Sequence, residues 1–154
     1  MARGNLWPKD PSKIAGQVQR FLVKAGSAAS IKAGEPVIQN TGGDAEYVMV
    51  PSADVTTSDT FVGIAMTNST DTASVDGYVD VWVPDASSVI RGYAKTKSSL
   101  ASTVRLTKVV IDLTSGEFTI DESTTTNGFM LIVDYDADTG LVDCLIDMTE
   151  AVNA

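Results

Sequence analysis

The sequence contains no histidine and a single cysteine, Cys144, among its 154 residues. Histidine is the commonest general base and the commonest metal ligand, and structural zinc sites need several cysteine or histidine ligands. A lone cysteine also excludes an intramolecular disulfide bond. Cys144 alternates with apolar neighbours in a predicted strand, where a buried thiol behaves as a small hydrophobic group. The composition therefore argues against an enzyme, and we predict no catalytic residue, no cofactor and no metal centre.

Long apolar runs are also missing, since no stretch approaches the roughly 20 residues that a membrane-spanning helix needs. We therefore expect no membrane partner. The net charge is −9, and an acidic protein repels the phosphate backbone, so a nucleic-acid partner is not expected either. The chain is long enough to bury one self-sufficient core.

Charge is distributed along the chain in blocks. Residues 1–34 carry six basic groups and one acid, and residues 91–111 carry five basic groups and no acid. Residues 35–90 carry nine acids and residues 112–154 carry ten, with no base in either block. Such blocks are typical of solvated surface. A short basic segment on an acidic body is also suited to docking onto an acidic protein partner, and the sequence leaves both interpretations open.

Residues 1–14 are predicted to form an extended basic N-terminal arm. Pro8 and Pro11 disfavour a helix in the residues that precede them, and no apolar periodicity indicates packing. Burial of Trp7 against a partner would contribute about 5 kcal/mol before ordering costs, whereas the alternative is a frayed terminus without function. From this arm and the basic window after residue 90, the residues predicted to contact a partner are Arg3, Leu6, Trp7, Lys9, Lys13, Arg91, Lys95 and Lys97.

Residues 15–154 are predicted to form a single all-β domain, a small β-barrel or sandwich of short antiparallel strands. Residues 85–154 could hold an elaboration or a subdomain. In Gly77–Val83, Tyr78 and Trp82 share one strand face and are predicted as core, with an intersubunit or ligand patch as the alternative. Strands are predicted at Gln17–Lys24, Pro36–Gln39, Glu46–Val50, Phe61–Thr67 and Gly77–Val83, and hairpins at residues 109–120 and 129–148.

One acidic segment has part of the spacing of a calcium loop. Asp134, Asp136 and Asp138 match the first ligands of such a loop. Gly140, however, comes one place late, and Leu145 stands where the closing glutamate is needed. Aspartate and glycine are common in tight turns, so this segment is predicted to be the turn of a hairpin.

Three segments, Ala33–Val37, Phe61–Thr67 and Gly77–Pro84, resemble the small head decoration, or cement, proteins of tailed bacteriophages. In that family a chain enters a β-barrel through a glycine turn, continues through a "v-G-i-A" strand and returns through an alternating strand. The similarity covers about residues 17–84.

The resemblance implies a non-enzymatic virion protein, made in the host cytoplasm, that binds the outer surface of a capsid. It would stabilise the shell by bridging subunits of the major capsid protein. The family is often trimeric, and the resemblance would place the arm from Arg3 to Lys13 against the major capsid protein. A head fibre-like protein or a receptor- or glycan-binding β module is the alternative from another class.

Overall fold

The computed structural model describes residues 6–10, 16–26 and 30–147. Its regular structure is almost all β, as the alternating pattern predicts. Two short 3-10 helices, Lys97–Ser99 and Ser102–Val104, precede the eighth strand. The strands of the described residues are β1 (Trp7–Pro8), β2 (Gln17–Val23), β3 (Pro36–Gln39), β4 (Tyr47–Met49), β5 (Phe61–Ala65), β6 (Gly77–Val83), β7 (Ile90–Tyr93), β8 (Lys108–Thr114), β9 (Glu117–Asp121), β10 (Met130–Asp136) and β11 (Leu141–Ile146).

Strands β2 to β6 form a closed barrel in the order β2-β4-β3-β5-β6. β2 and β6 pair antiparallel along the whole length of β2, from Gln17 opposite Val83 to Val23 opposite Gly77. β2 and β4 instead pair in parallel, which departs from the antiparallel arrangement predicted from the sequence. A barrel of so few strands is narrow enough for side chains to fill. The apolar cluster in its interior comprises Val23, Ile31, Val37, Val48, Ala65, Val79 and Val81.

The other strands form a second, six-stranded sheet in the order β1-β7-β11-β10-β8-β9. This sheet curls back toward its own edge, because the residues that follow β7 meet the outer strand β9. The backbone N–H of Lys95 donates to the carbonyl oxygen of Ile120 at 2.8 Å, and Ala94 forms an isolated parallel bridge with Ile120. The barrel packs against this sheet through a shared apolar cluster.

One apolar cluster joins the barrel to the second sheet. Strand alternation turns Ile38, Ile64 and Trp82 away from the barrel interior, and all three belong to the same cluster as Ile90 and Ile111 of the second sheet. Trp82 is only 1% exposed. The prediction that Trp82 is a core residue is therefore confirmed, although its core lies between the sheets and outside the barrel.

Both predicted hairpins are confirmed, and their turns explain the residues found there. Ser115 and Gly116 between β8 and β9 have φ values of 54° and 78°, the left-handed conformation that a two-residue type I′ turn requires. Between β10 and β11, Asp136 Oδ1 accepts hydrogen bonds from the backbone N–H groups of Asp138 and Thr139 at 2.9 and 3.3 Å. The carboxylate of Asp136 thus stabilises the turn, and these hydrogen bonds lower its pKa.

The described part of the N-terminal segment is packed into the fold, so the expectation of an extended arm is wrong for Leu6 to Lys9. Leu6 is 0% exposed, and its N–H donates to the carbonyl oxygen of Gly34 at 3.0 Å. β1 pairs antiparallel with β7 and forms an edge of the second sheet. A two-residue strand with one deeply buried side chain has no periodicity, which is why the sequence pattern did not reveal the packing.

Candidate functional site

Three of the basic residues predicted to bind a partner, Lys9, Arg91 and Lys95, are held by buried carboxylates of the same chain. Arg91 on β7 makes a bidentate contact with Asp143 on β11, with Nε–Oδ1 and Nη2–Oδ2 distances of 2.7 and 3.0 Å. Lys9 Nζ lies 2.9 Å from Asp143 Oδ2, and the Asp143 side chain is 4% exposed. Burial alone would raise the pKa of Asp143, but the hydrogen bonds from Arg91 and Lys9 outweigh burial and lower it.

Lys95, which follows the C-terminal end of β7, is also held by buried carboxylates of the same chain. Its Nζ lies 2.7 Å from Asp112 Oδ1 and 3.3 Å from Asp121 Oδ2, and both carboxylates are nearly buried. Hydrogen bonds to Asp112 and Asp121 raise the pKa of Lys95. Because this amine is held as an ammonium ion, it is unsuited to act as a nucleophile or a general base.

The remaining basic groups of the window also pair with carboxylates of the same chain, with one exception, although these carboxylates are more exposed. Arg105 pairs with Asp134 at 2.9 Å, and Lys108 pairs with Asp147 at 3.0 Å. Lys97 is exposed and lies near the β10–β11 turn, where its charge contributes to lowering the pKa of Asp136. The basic block of residues 91–111 therefore neutralises part of the acidic block after it, through ion pairs between residues that are distant in sequence.

The predicted partner-contacting residues thus divide into several groups. Trp7, Lys9 and Arg91 lie together on β1, the residue after it, and β7, with the Trp7 ring edge-on to Tyr93 at a centroid distance of 5.8 Å. Leu6 is buried and cannot contact a partner while the chain is folded as described. Arg91 and Lys95 have ion-pair partners within the chain, so their charges are not unpaired as the charge blocks suggest, and their contact with another protein stays a prediction. Arg3 and Lys13 lie outside the described residues.

The Asp143 cluster gives a test of this arrangement by pH. Because the pKa of Asp143 is lowered in the folded state, its stabilising effect is present above its unfolded pKa of about 3.9 and is lost as the pH falls through the folded value. Asp143→Asn is expected to lower the free energy of unfolding by about 2 kcal/mol at pH 7. Urea unfolding of the wild type and of Asp143→Asn should show that the difference between their free energies of unfolding becomes smaller as the pH is lowered toward 2.5.

The matched control for that experiment is Asp138→Asn, in the exposed β10–β11 turn. Its effect on the free energy of unfolding is expected to stay within about 0.5 kcal/mol at pH 7. A difference between wild type and Asp143→Asn that is the same at pH 7 and pH 2.5 would contradict the assignment of Asp143 as a paired carboxylate.

A second surface lies on the outside of the barrel, and sequence analysis raised it only as an alternative, through the pair Tyr78 and Trp82. Phe21 and Val23 turn toward the barrel interior, so alternation directs Val18 and Leu22 outward, where they are 53% and 50% exposed. Leu22 stands directly opposite Tyr78 of β6, which is 41% exposed. We call the surface formed by Val18, Arg20, Leu22, Met66, Tyr78 and Asp80 the outer β2–β6 face.

An ion pair on the outer β2–β6 face links its two strands. Arg20 contacts Asp80 with Nε–Oδ1 and Nη2–Oδ2 distances of 2.9 and 3.3 Å. The guanidinium carbon of Arg20 also lies 4.0 Å from the centroid of the Tyr78 ring. The hydrogen bond from Arg20 lowers the pKa of Asp80, so the pair stays charged at neutral pH.

Strand alternation predicted which β6 residues share this face but could not distinguish their environments. Trp82 and Tyr78 lie on the same side of β6, yet the second sheet covers Trp82 and leaves Tyr78 open. The available sequence signal was the occurrence of apolar Val18 and Leu22 at the outward positions of β2, where polar residues are expected.

The described residues contain no group of three or more His, Cys, Asp or Glu side chains placed to hold a metal ion. Cys144 is fully buried, as predicted, and burial raises the pKa of its thiol, so it is a poor nucleophile. Within the same residues no helix is long and apolar enough to cross a membrane.

No family model matches this chain, and no curated protein or solved structure matches it. These comparisons therefore assign it neither a family nor an activity. Its function has to be inferred from its own fold and surface.

Proposed function

We propose that this chain is a non-enzymatic structural protein that binds the outer surface of a bacteriophage capsid and stabilises it by bridging subunits of the major capsid protein. One observation carries the proposal: the segments that resemble head decoration proteins are neighbours in space. They contribute β3, β5 and β6, which are adjacent strands of the closed barrel.

The glycines of the resembling segments have structural roles in that barrel. A Cβ atom at Gly63 would lie 2.0 Å from the carbonyl oxygen of Trp82, so only glycine allows β5 and β6 to approach this closely. Gly34, which precedes β3, has a φ of 91°, a conformation that favours glycine. These roles support the proposal that the resemblance reflects a shared barrel.

The exposed apolar residues of the protein also suit binding to a symmetric shell. Three of its exposed apolar residues, Val18, Leu22 and Tyr78, lie on barrel strands, so little backbone freedom would be lost there on binding. A protein that binds only the expanded lattice stabilises that lattice by mass action. By resemblance we propose that it acts as a homo-oligomer, with a trimer as the expected state.

Co-sedimentation with capsids tests this function. The protein should pellet with expanded capsids of the phage that encodes it and should stay in the supernatant with unexpanded procapsids. It should also raise the temperature at which expanded capsids lose their contents. Protein that stays in the supernatant with both particles would contradict the proposal.

A polar cleft favours the second candidate function, a receptor- or glycan-binding module. The cleft has a volume of about 410 Å³ and is lined by Ala94, Lys95, Asp112, Thr114, Ser115, Glu117 and Thr119. Hydroxyl and charged groups of this kind can hydrogen-bond a sugar. Binding of the purified protein to immobilised host glycans, together with failure to bind capsids, would support this candidate.

A further inference from the structure

We infer that the outer β2–β6 face is the surface that docks on the capsid, and that its partner is a patch of the major capsid protein with an apolar centre and a basic rim. This inference rests on the proposed function. Its basis is the combination of clustered apolar exposure, a fixed ion pair and an excess of negative charge at the Leu22 end of the face.

The exposed apolar residues of the described chain are concentrated on this face. Six large apolar side chains are exposed among the described residues, and four of them, Val18, Leu22, Met66 and Tyr78, belong to it. Met66 lies beside Asp80, because its N–H donates to the Asp80 carbonyl oxygen at 2.8 Å. A contiguous apolar patch on a soluble protein marks an interaction surface, whereas single exposed apolar residues need no explanation.

The composition and rigidity of the face resemble the centre of a protein interface. Tyrosine, arginine and methionine are enriched at such centres, and tyrosine and arginine dominate their binding energy. Arg20 is already held by Asp80 and by the Tyr78 ring, so its rotamer is selected before any partner binds. The face would therefore lose little conformational freedom on docking.

Charge at the Leu22 end of the face indicates the chemistry of the partner. Tyr47 of β4 is in register with Leu22, and its hydroxyl donates to Asp76 Oδ2 at 2.9 Å. Asp44 and Glu46 lie just before Tyr47, and residues 35–90 contain no basic group. Lys24 offsets only part of this charge, through its ion pair with Asp44. The complementary surface is therefore basic at its rim.

A second copy of the chain is poorly suited to supply such a surface. Arg91 on β7, Lys95 after β7 and Lys108 on β8 are held by carboxylates of the same chain, which leaves Lys97 as the exposed base of that window. Residues 35–90 of the second copy would bring further acids. Charge complementarity therefore favours a different protein, one with exposed bases.

Two substitutions test the apolar centre. Leu22→Ser and Tyr78→Ser are each expected to weaken co-sedimentation with expanded capsids by roughly tenfold or more, because hot-spot side chains dominate interface energy. Leu106→Ser is the matched control, since Leu106 is 72% exposed on the second sheet side of the chain, and it should bind as the wild type does. Thermal unfolding of each variant checks that the fold is retained.

The basic rim has its own pair of variants. Glu46→Lys, at the acidic end of the face, should weaken capsid binding by about threefold or more, whereas Glu117→Lys on the distant edge strand β9 should not. Equal weakening by both would contradict a rim contact at this end.

The outcomes separate the inference from the function on which it rests. A wild type that fails to bind capsids overturns the proposed function and the inference with it. A wild type that binds, with Leu22→Ser and Tyr78→Ser variants that bind equally well, overturns the inference alone. A wild-type oligomer that Leu22→Ser dissociates in sedimentation equilibrium would assign the face to a second copy and would also overturn it.

Discussion

Replacing Leu6 with alanine is expected to lower the free energy of unfolding by about 3 kcal/mol, the effect of removing a fully buried leucine side chain. Leu6 is 0% exposed and belongs to the cluster that joins the two sheets. It lies so close to β7 that a Cβ atom at Gly92 would be 2.5 Å from Leu6 Cδ2. The side chain therefore fills space that no neighbouring residue can fill in its absence.

Urea denaturation at neutral pH measures the Leu6 effect, with Leu106→Ala as the control. Leu106 is largely exposed, so its replacement should change the free energy of unfolding by less than about 0.5 kcal/mol. Equal effects of the two substitutions would show that residues 6–9 do not pack as described. The same contacts make deletion of residues 1–13 a poor test of capsid binding, because that deletion removes β1 and Leu6 from the fold.

Trp82→Ala is expected to have the largest effect of the single substitutions considered, a loss of about 4 kcal/mol in the free energy of unfolding. The Trp82 side chain points away from the barrel interior and packs in the cluster shared with the second sheet. Its removal would leave a cavity between the two sheets, where rigid strands on both sides limit collapse. We expect the two sheets to lose cooperativity as well, so that unfolding followed by tryptophan fluorescence of Trp7 and by far-UV circular dichroism no longer coincides.

The control for Trp82 is Tyr78→Ala, four residues earlier on the same face of the same strand. Tyr78 is 41% exposed, and its main contact is the cation–π interaction with Arg20. Its replacement should lower the free energy of unfolding by about 1 kcal/mol or less. Similar losses for Trp82→Ala and Tyr78→Ala would contradict a shared core between the barrel and the second sheet.

Most of the strands could be predicted from the sequence because alternation is a local property. The predicted bounds of β3 and β6 coincide with the observed ones, and both hairpins were found from turn residues such as Gly116 and Gly140. No strand is predicted at β7, because Val89, Ile90 and Tyr93 fit the period of a helical turn as well as that of a strand. The parallel pairing of β2 with β4 depends on how the barrel closes, which no local pattern encodes.

The candidate site was harder to predict, because it depends on which surfaces cover each other. Charge blocks along the chain suggested that Arg91 and Lys95 face a partner, whereas carboxylates about 20 to 50 residues away hold them. Alternation grouped Tyr78 with Trp82 but could not show that only one of them is covered. Both errors come from the same source, the contact between elements that are distant in sequence.

These corrections change where binding is expected. The basic groups that suggested electrostatic docking mainly stabilise the second sheet and its attachment to β1. The barrel strands that carry the resemblance to head decoration proteins also carry part of the exposed apolar face. We therefore expect contact with a partner at the outer β2–β6 face and not at the N-terminal segment.

A cryo-electron microscopy reconstruction of expanded capsids saturated with this protein tests the central claim most directly. The account predicts density for the barrel and the second sheet on the outer surface of the shell, with Leu22 and Tyr78 turned toward the major capsid protein. Density in which these two residues face solvent, while Arg91 and Lys95 contact the capsid, would contradict it.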